Sequence, residues 1–193
     1  MSAAIHLKLL KNIQTNKSKP LNNSTKLKTF KIAGSSISRR IEPFSKLYIE
    51  HHYCLLLGWK IKEGIKKKIK RERIGKYVEY FWQNYLRYHL YIEEHFLFGT
   101  FNNLRVRKAI DQHTEIRELI TALASSEKIS GKKLLELATM IRINVEYEET
   151  ELFRYLSQTL CKADLKNVCE QIARAHPTLR PDEYEDKFWI TER

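Results

Sequence analysis

The sequence predicts an all-α protein of four long helices and a short fifth, and three observations carry that prediction. Gly and Pro number only 6 and 4 in 193 residues, too few turn formers for a many-stranded sheet. Apolar residues make up 42% of the chain and recur in steps of three and four over long stretches, the period of a helix with one buried face. A ten-residue pattern, X-x-x-x-E-E-x-x-L-F, also occurs twice. Its copies start at His89 and Asn144 and carry Glu93-Glu94 and Glu148-Glu149, then Leu97-Phe98 and Leu152-Phe153.

Residues 1–41 hold nine Lys/Arg and no Asp or Glu, interspersed with Ser, Asn and Thr. Such a segment reads as a transit peptide, a disordered extension or the product of a mis-assigned start. Residues 42–193 read as the folded body. The first helix is expected from Ser45, as N-cap after Pro43, to about Lys68, with Ile49, His52, Leu56 and Trp59 as its inward stripe. Lys66, Lys67, Lys68, Lys70 and Arg71 close it with positive charge, favourable at a helix C-terminus and read as solvated.

The second helix is expected from about Glu72 to Phe98, with Val78, Phe81, Tyr85, His89, Glu93 and Phe96 inward. Gly99 to Asn103 reads as a turn. The third helix, Leu104 to Ala124, has Val106, Ile110, His113, Ile116 and Ile120 on one stripe. The fourth runs from near Ser130 to about Gln158 through Leu134, Leu137, Ile141, Asn144, Glu148, Leu152 and Leu156. The fifth fits Lys162 to Ala175, and His176 before Pro177 ends it. Tyr184, Phe188 and Trp189 in the tail are expected to dock on the bundle.

The net charge of +12 raises the possibility of nucleic acid or an anionic membrane surface as partner. Most of the excess lies in residues 1–41; the rest of the chain has 26 Lys/Arg against 23 Asp/Glu. The aromatics of the second helix accompany no strand pattern, which disfavours a base-stacking surface. The longest apolar runs are too short to cross a bilayer. Three cysteines, Cys54, Cys161 and Cys169, form no C-x-x-C pair, which points to a reducing compartment, the cytoplasm or an organelle matrix. No P-loop, Gly-rich nucleotide motif or Ser-His-Asp arrangement suggests an enzyme.

Residues four apart on a helix share a face, so His89 and Glu93 point to one spot, as do Asn144 and Glu148. A lone ionised carboxylate on an apolar stripe is costly and needs a partner, a metal or a shifted pKa. Helical bundles build di-metal sites from such inward carboxylates and imidazoles. The candidate ligands are His52, His89, Glu93, His113, Asn144 and Glu148. Their N/O donor set suits iron, manganese or zinc. Glu94 and Glu149, about a hundred degrees round the helix, read as solvent-exposed or as outer-sphere partners.

On His51-His52, His89-x-x-x-Glu93-Glu94, His113 and Glu148-Glu149 the chain resembles the hemerythrin-like, or HHE cation-binding, domains, most closely their bacterial branch. The terminal Tyr184-Glu185-Asp186-Lys187-Phe188-Trp189 adds to the resemblance, which covers residues 42–193. It implies an up-down-up-down four-helix bundle with a non-haem di-iron centre that binds or senses O2 or NO, or handles iron. Carried over by position, the ligands are His52, with His51 as its substitute, His89, Glu93, His113 and Glu148.

Asn144 departs from the family's His at that place, and its neutral carbonyl is a poorer ligand than imidazole. Weaker or partial occupancy of that half, or a single metal, is therefore expected. The family's Pro after Leu-Phe is also missing, replaced by Gly99 and Arg154. The same departure at Asn144 motivates a second reading: a metal-poor bundle that serves as a structural or interaction module.

Overall fold

The computed structural model describes residues 44–99, 101, 103–175 and 182–190. The basic segment 1–41 and the His176-Pro177 stop lie outside these residues. Among the described residues every regular element is helical. Helix α1 is Ser45–Lys66. Helix α2 runs from Arg71 to Phe98, with α-helical Arg71–Phe81 and Arg87–Ile92 and wider, i→i+5 turns over Trp82–Leu86 and Glu93–Phe98. Helix α3 is Leu104–Ala124. Helix α4 comprises Gly131–Tyr147, a wide segment Glu148–Leu152 and Phe153–Thr159; α5 is Lys162–Ala175.

Ser45 is not the cap of α1. Phe44 holds that place in the left-handed region, at φ 69°, without a side-chain cap. A positive φ is uncommon for an aromatic residue. Here the ring is buried 5.1 Å from that of Phe153, so packing on α4 offsets the backbone cost. Helices α3 and α4 have the expected local signals: Asn103 accepts from the amides of Arg105 and Val106, and Ser130 accepts from that of Lys133.

The stripe of α1 differs from the expected one by one residue. Leu47, Glu50, His51, Cys54, Leu57, Gly58 and Ile61 are buried, whereas Ile49 is 52% exposed. The reason is the approach of α1 to α4. A Cβ on Gly58 would lie 3.3 Å from the Ala138 carbonyl oxygen, so the small residues Cys54 and Gly58, and not Leu56 and Trp59, face the neighbour. In α2 the wide turns shift the inward face by one position. Leu86, Leu97 and Phe98 are fully buried where Tyr85 and Phe96 were expected, and both of those are half-buried. In α3, Ala109 replaces Ile110, which is exposed. The stripe of α4 is as expected throughout.

The core falls into two apolar clusters. One gathers Cys54, Leu57, Ile61, Leu90, Ile116, Ile120, Leu137 and Ile141; the other Phe44, Leu47, Ile92, Leu97, Ala109, Tyr147 and Leu152. Each long helix crosses from one cluster to the other at a polar step: Glu50-His51 in α1, His89 to Glu93 in α2, Gln112-His113 in α3, and Asn144 to Glu148 in α4. The tail packs on the first cluster, with Phe188 buried and the Trp189 ring 4.9 Å from that of Tyr77.

Candidate metal centre

Three imidazoles and two carboxylates meet at the polar step, each fully or nearly fully buried: His51, His89, His113, Glu93 and Glu148. His51 Nε2 lies 3.2 Å from Glu93 Oε1 and 3.1 Å from Glu148 Oε2. His89 Nε2 lies 3.3 Å from Glu93 Oε2. His113 Nε2 lies 2.9 Å from Glu148 Oε1 and 3.5 Å from Glu93 Oε2. Glu93 and Glu148 thus each face more than one imidazole, as the sequence spacing anticipated. His51, His89, Glu93 and Glu148 bring ligand atoms within 4.8 Å of one another.

His51 stands where His52 was expected. His52 is half-buried and stacks edge-on with Tyr53, because the Gly58 contact fixes the rotation of α1 and turns residue 52 off the bundle axis. A Leu47, His51, Cys54, Gly58, Ile61 register was readable from its small residues, since a glycine inside a helix marks a close neighbour. His89, Glu93, His113, Asn144 and Glu148 all face the centre.

Each imidazole is also held from behind. His89 Nδ1 lies 2.9 Å from Glu50 Oε2, His51 Nδ1 3.2 Å from Glu149 Oε1, and His113 Nδ1 2.8 Å from Glu94 Oε1. Arg117 Nη2 donates to the same Glu94 oxygen at 2.7 Å. Glu94 and Glu149 are therefore outer partners and do not simply face solvent, and Glu50 joins them unanticipated by the sequence reading. A carboxylate behind the ring fixes the tautomer that presents the other nitrogen inward, the arrangement found around metal-ligating histidines. Asn144 is the fourth inward group. Its amide donates to Glu148 Oε1 at 2.9 Å and to Gln112 Oε1 at 3.4 Å.

Carboxylates crowd this centre: Glu93 and Glu148 sit among the three imidazoles, with Glu50, Glu94 and Glu149 behind the rings. Burial disfavours a charged His51, but the surrounding carboxylates of Glu148, Glu149 and Glu93 outweigh that and hold its pKa well above the ordinary value. In His113, burial again opposes charge and the bonds with Glu148 and Glu94 prevail, raising the pKa to about 9. Burial pushes Glu148 up, yet His113 and His51 hold it well below the usual carboxylate range. Even so, among the described residues Glu93 Oε2 and Glu148 Oε2 are buried without a hydrogen bond. The contact of His51 Nε2 with Glu148 Oε2 is an ion-pair distance without hydrogen-bond alignment.

No protein-family model, curated protein or solved structure matches the chain. What the centre can do follows from its own residues. Buried carboxylate oxygens and imidazole nitrogens brought this close together could hold a metal ion through mixed N/O ligands. No thiolate joins them. The only buried cysteine, Cys54, lies in an apolar cluster, where burial pushes its thiol pKa far up. Among the described residues no helix is long and apolar enough to cross a membrane.

Proposed function

We propose that this chain is a hemerythrin-type metal-binding bundle, with iron as its cation and a diatomic molecule such as O2 or NO, or iron itself, as what it senses, binds or handles. The observation that carries this reading is the double fixation of His51, His89 and His113, each between an inner glutamate and an outer one. Bound iron would supply an open coordination position for a small ligand. The residues would hold that iron through imidazole nitrogens and the Glu93 and Glu148 carboxylates. The two apolar clusters above and below would keep water from it.

An up-down-up-down course agrees with this reading. Along α1 and α3 the chain passes from the Leu47/Ala109 cluster to the Leu57/Ile116 cluster; along α2 and α4 it passes back. The wide turns add to it. Two of the three begin at the inner glutamates, Glu93 and Glu148, and such turns recur at functional sites.

Metal analysis of the full-length protein purified from iron-rich medium tests the proposal. Near-stoichiometric iron, with a melting temperature that falls on chelation, is the expected result. Iron-free protein whose stability ignores chelator would leave the metal-poor structural module instead.

A further inference from the structure

The outer partners form a ring that has one exceptional corner. Glu50 of α1 backs His89 of α2, Glu94 of α2 backs His113 of α3, and Glu149 of α4 backs His51 of α1. The remaining step runs from α3 to α4, and there Gln112 backs Asn144. At this corner both positions hold neutral amides, where the other three pair a carboxylate with an imidazole.

The exceptional corner also has a different target. Asn144 Nδ2 and His113 Nε2 both lie 2.9 Å from one atom, Glu148 Oε1. The oxygens left without a hydrogen bond, Glu148 Oε2 and Glu93 Oε2, lie 3.1 Å and 3.3 Å from the inward nitrogens of His51 and His89. The Asn144 amide therefore donates on the His113 side, whereas Glu148 Oε2 and Glu93 Oε2 lack a donor beside His51 and His89. These four groups bring ligand atoms within 4.8 Å of one another. Glu93 Oε2 is also 3.5 Å from His113 Nε2.

Building on the reading that this centre binds a metal, we propose that it holds one cation, on His51, His89, Glu93 and Glu148. On the other side, Gln112, Asn144 and His113 serve as positioning residues that hold Glu148 by hydrogen bonds where a second cation would sit. The amide of Asn144 brings one donor to Glu148 Oε1 without adding charge. Gln112 accepts from the same amide and fixes its orientation. His113 Nε2 lies against Glu148 Oε1 and stays outside the four-group cluster.

Titration of the metal-free, full-length protein with Co(II), followed by d–d absorption and by direct metal analysis, tests this. The wild type should saturate at one equivalent. Gln112→Glu combined with Asn144→His restores the ring and should saturate at two. Asn144→Ala should still take one equivalent, with affinity about 10–100-fold weaker because Glu148 loses its support. If the double variant fails to fold, judged by far-ultraviolet circular dichroism, Asn144→Ala decides. Two equivalents bound by the wild type with similar affinity, or unchanged affinity in Asn144→Ala, would overturn the single-cation proposal and leave the metal-binding reading intact. No Co(II) bound by the wild type would overturn the metal-binding reading itself.

Discussion

The His51 centre has a counterpart nearer the tail-bearing end of the same bundle. There Lys60 donates to Tyr77 Oη, at 2.8 Å, and to Asp182, and Tyr77 donates to the same Asp182 oxygen. The Lys60 ammonium lies 4.0 Å from the Trp189 ring centre, and Lys67 donates to the Trp189 carbonyl. Both clusters place ionisable groups among aromatic and aliphatic side chains. In the Lys60 cluster one cation meets one anion, a phenol bridges them and a ring face covers the ammonium. In the His51 centre two buried carboxylate oxygens, Glu93 Oε2 and Glu148 Oε2, have no hydrogen-bond donor among the described residues. A buried polar cluster that closes on itself is structural, because it leaves nothing for a ligand to do. One that ends on unsatisfied acceptors of a single sign calls for a cation. The difference lies in satisfaction: both clusters are charged, and Lys60 is buried, though its partner Asp182 is half-buried.

The largest effect expected is on cation content. His51→Ala should abolish metal binding, whereas His52→Ala should retain it, as read by metal analysis of the two purified variants. Equal loss in both would mean that α1 is rotated relative to the register described above. Asp182→Asn should leave metal content at the wild-type level, which separates the two clusters directly.

Saturating cation should come next. A ligand at 100 to 1,000 times its Kd stabilises by about 3–4 kcal/mol, or roughly 6–16 °C in melting temperature for a chain of this size. Calorimetry should find that shift in the wild type and in Asp182→Asn, and lose it in Glu148→Gln. A shift that survives Glu148→Gln would remove that carboxylate from the site.

Breaking the Lys60 cluster should cost less, about 2 kcal/mol for Asp182→Asn, below the range for wholly buried pairs. The loss should be the same with and without cation. Lys60→Met combined with Asp182→Asn should recover part of it, since removing both charges avoids stranding one. Chemical denaturation of the wild type and the two variants reads this directly.

The smallest expected effect concerns acid. Burial pushes the Asp182 carboxyl up, but its hydrogen bonds with Lys60 and Tyr77 outweigh that and hold it below the usual carboxylate range. A depressed folded-state pKa contributes stability that is present above about pH 4 and is lost as pH falls through the lower, folded value. The acid limb of stability should therefore flatten in Asp182→Asn. An unchanged acid limb would show that Asp182 is not held in this way.

The helix content, the boundaries of α3 and α5 and the whole inward stripe of α4 were legible in the sequence. They depend on local periodicity, on capping by Ser130 and on the scarcity of turn formers. The pairing of His89 with Glu93 and of Asn144 with Glu148 was equally legible, because four-residue spacing fixes a shared face whatever packs against it. The rotation of α1 was not legible from its large residues, and that is why His52 was expected where His51 stands. Side-chain size ranked Leu56 and Trp59 as inward, but the bundle needed small residues at the α1–α4 contact.

The sequence by itself determined that this chain would place carboxylates and imidazoles on the apolar faces of long helices. Tertiary structure alone decided which of two adjacent histidines turns inward, and that Glu50, Glu94, Glu149 and Gln112 back their neighbours across the bundle. The reason is physical: a helix's period sets which of its residues share a face, but the direction of that face depends on the closest approach of the next backbone. Here that approach is Gly58 against Ala138.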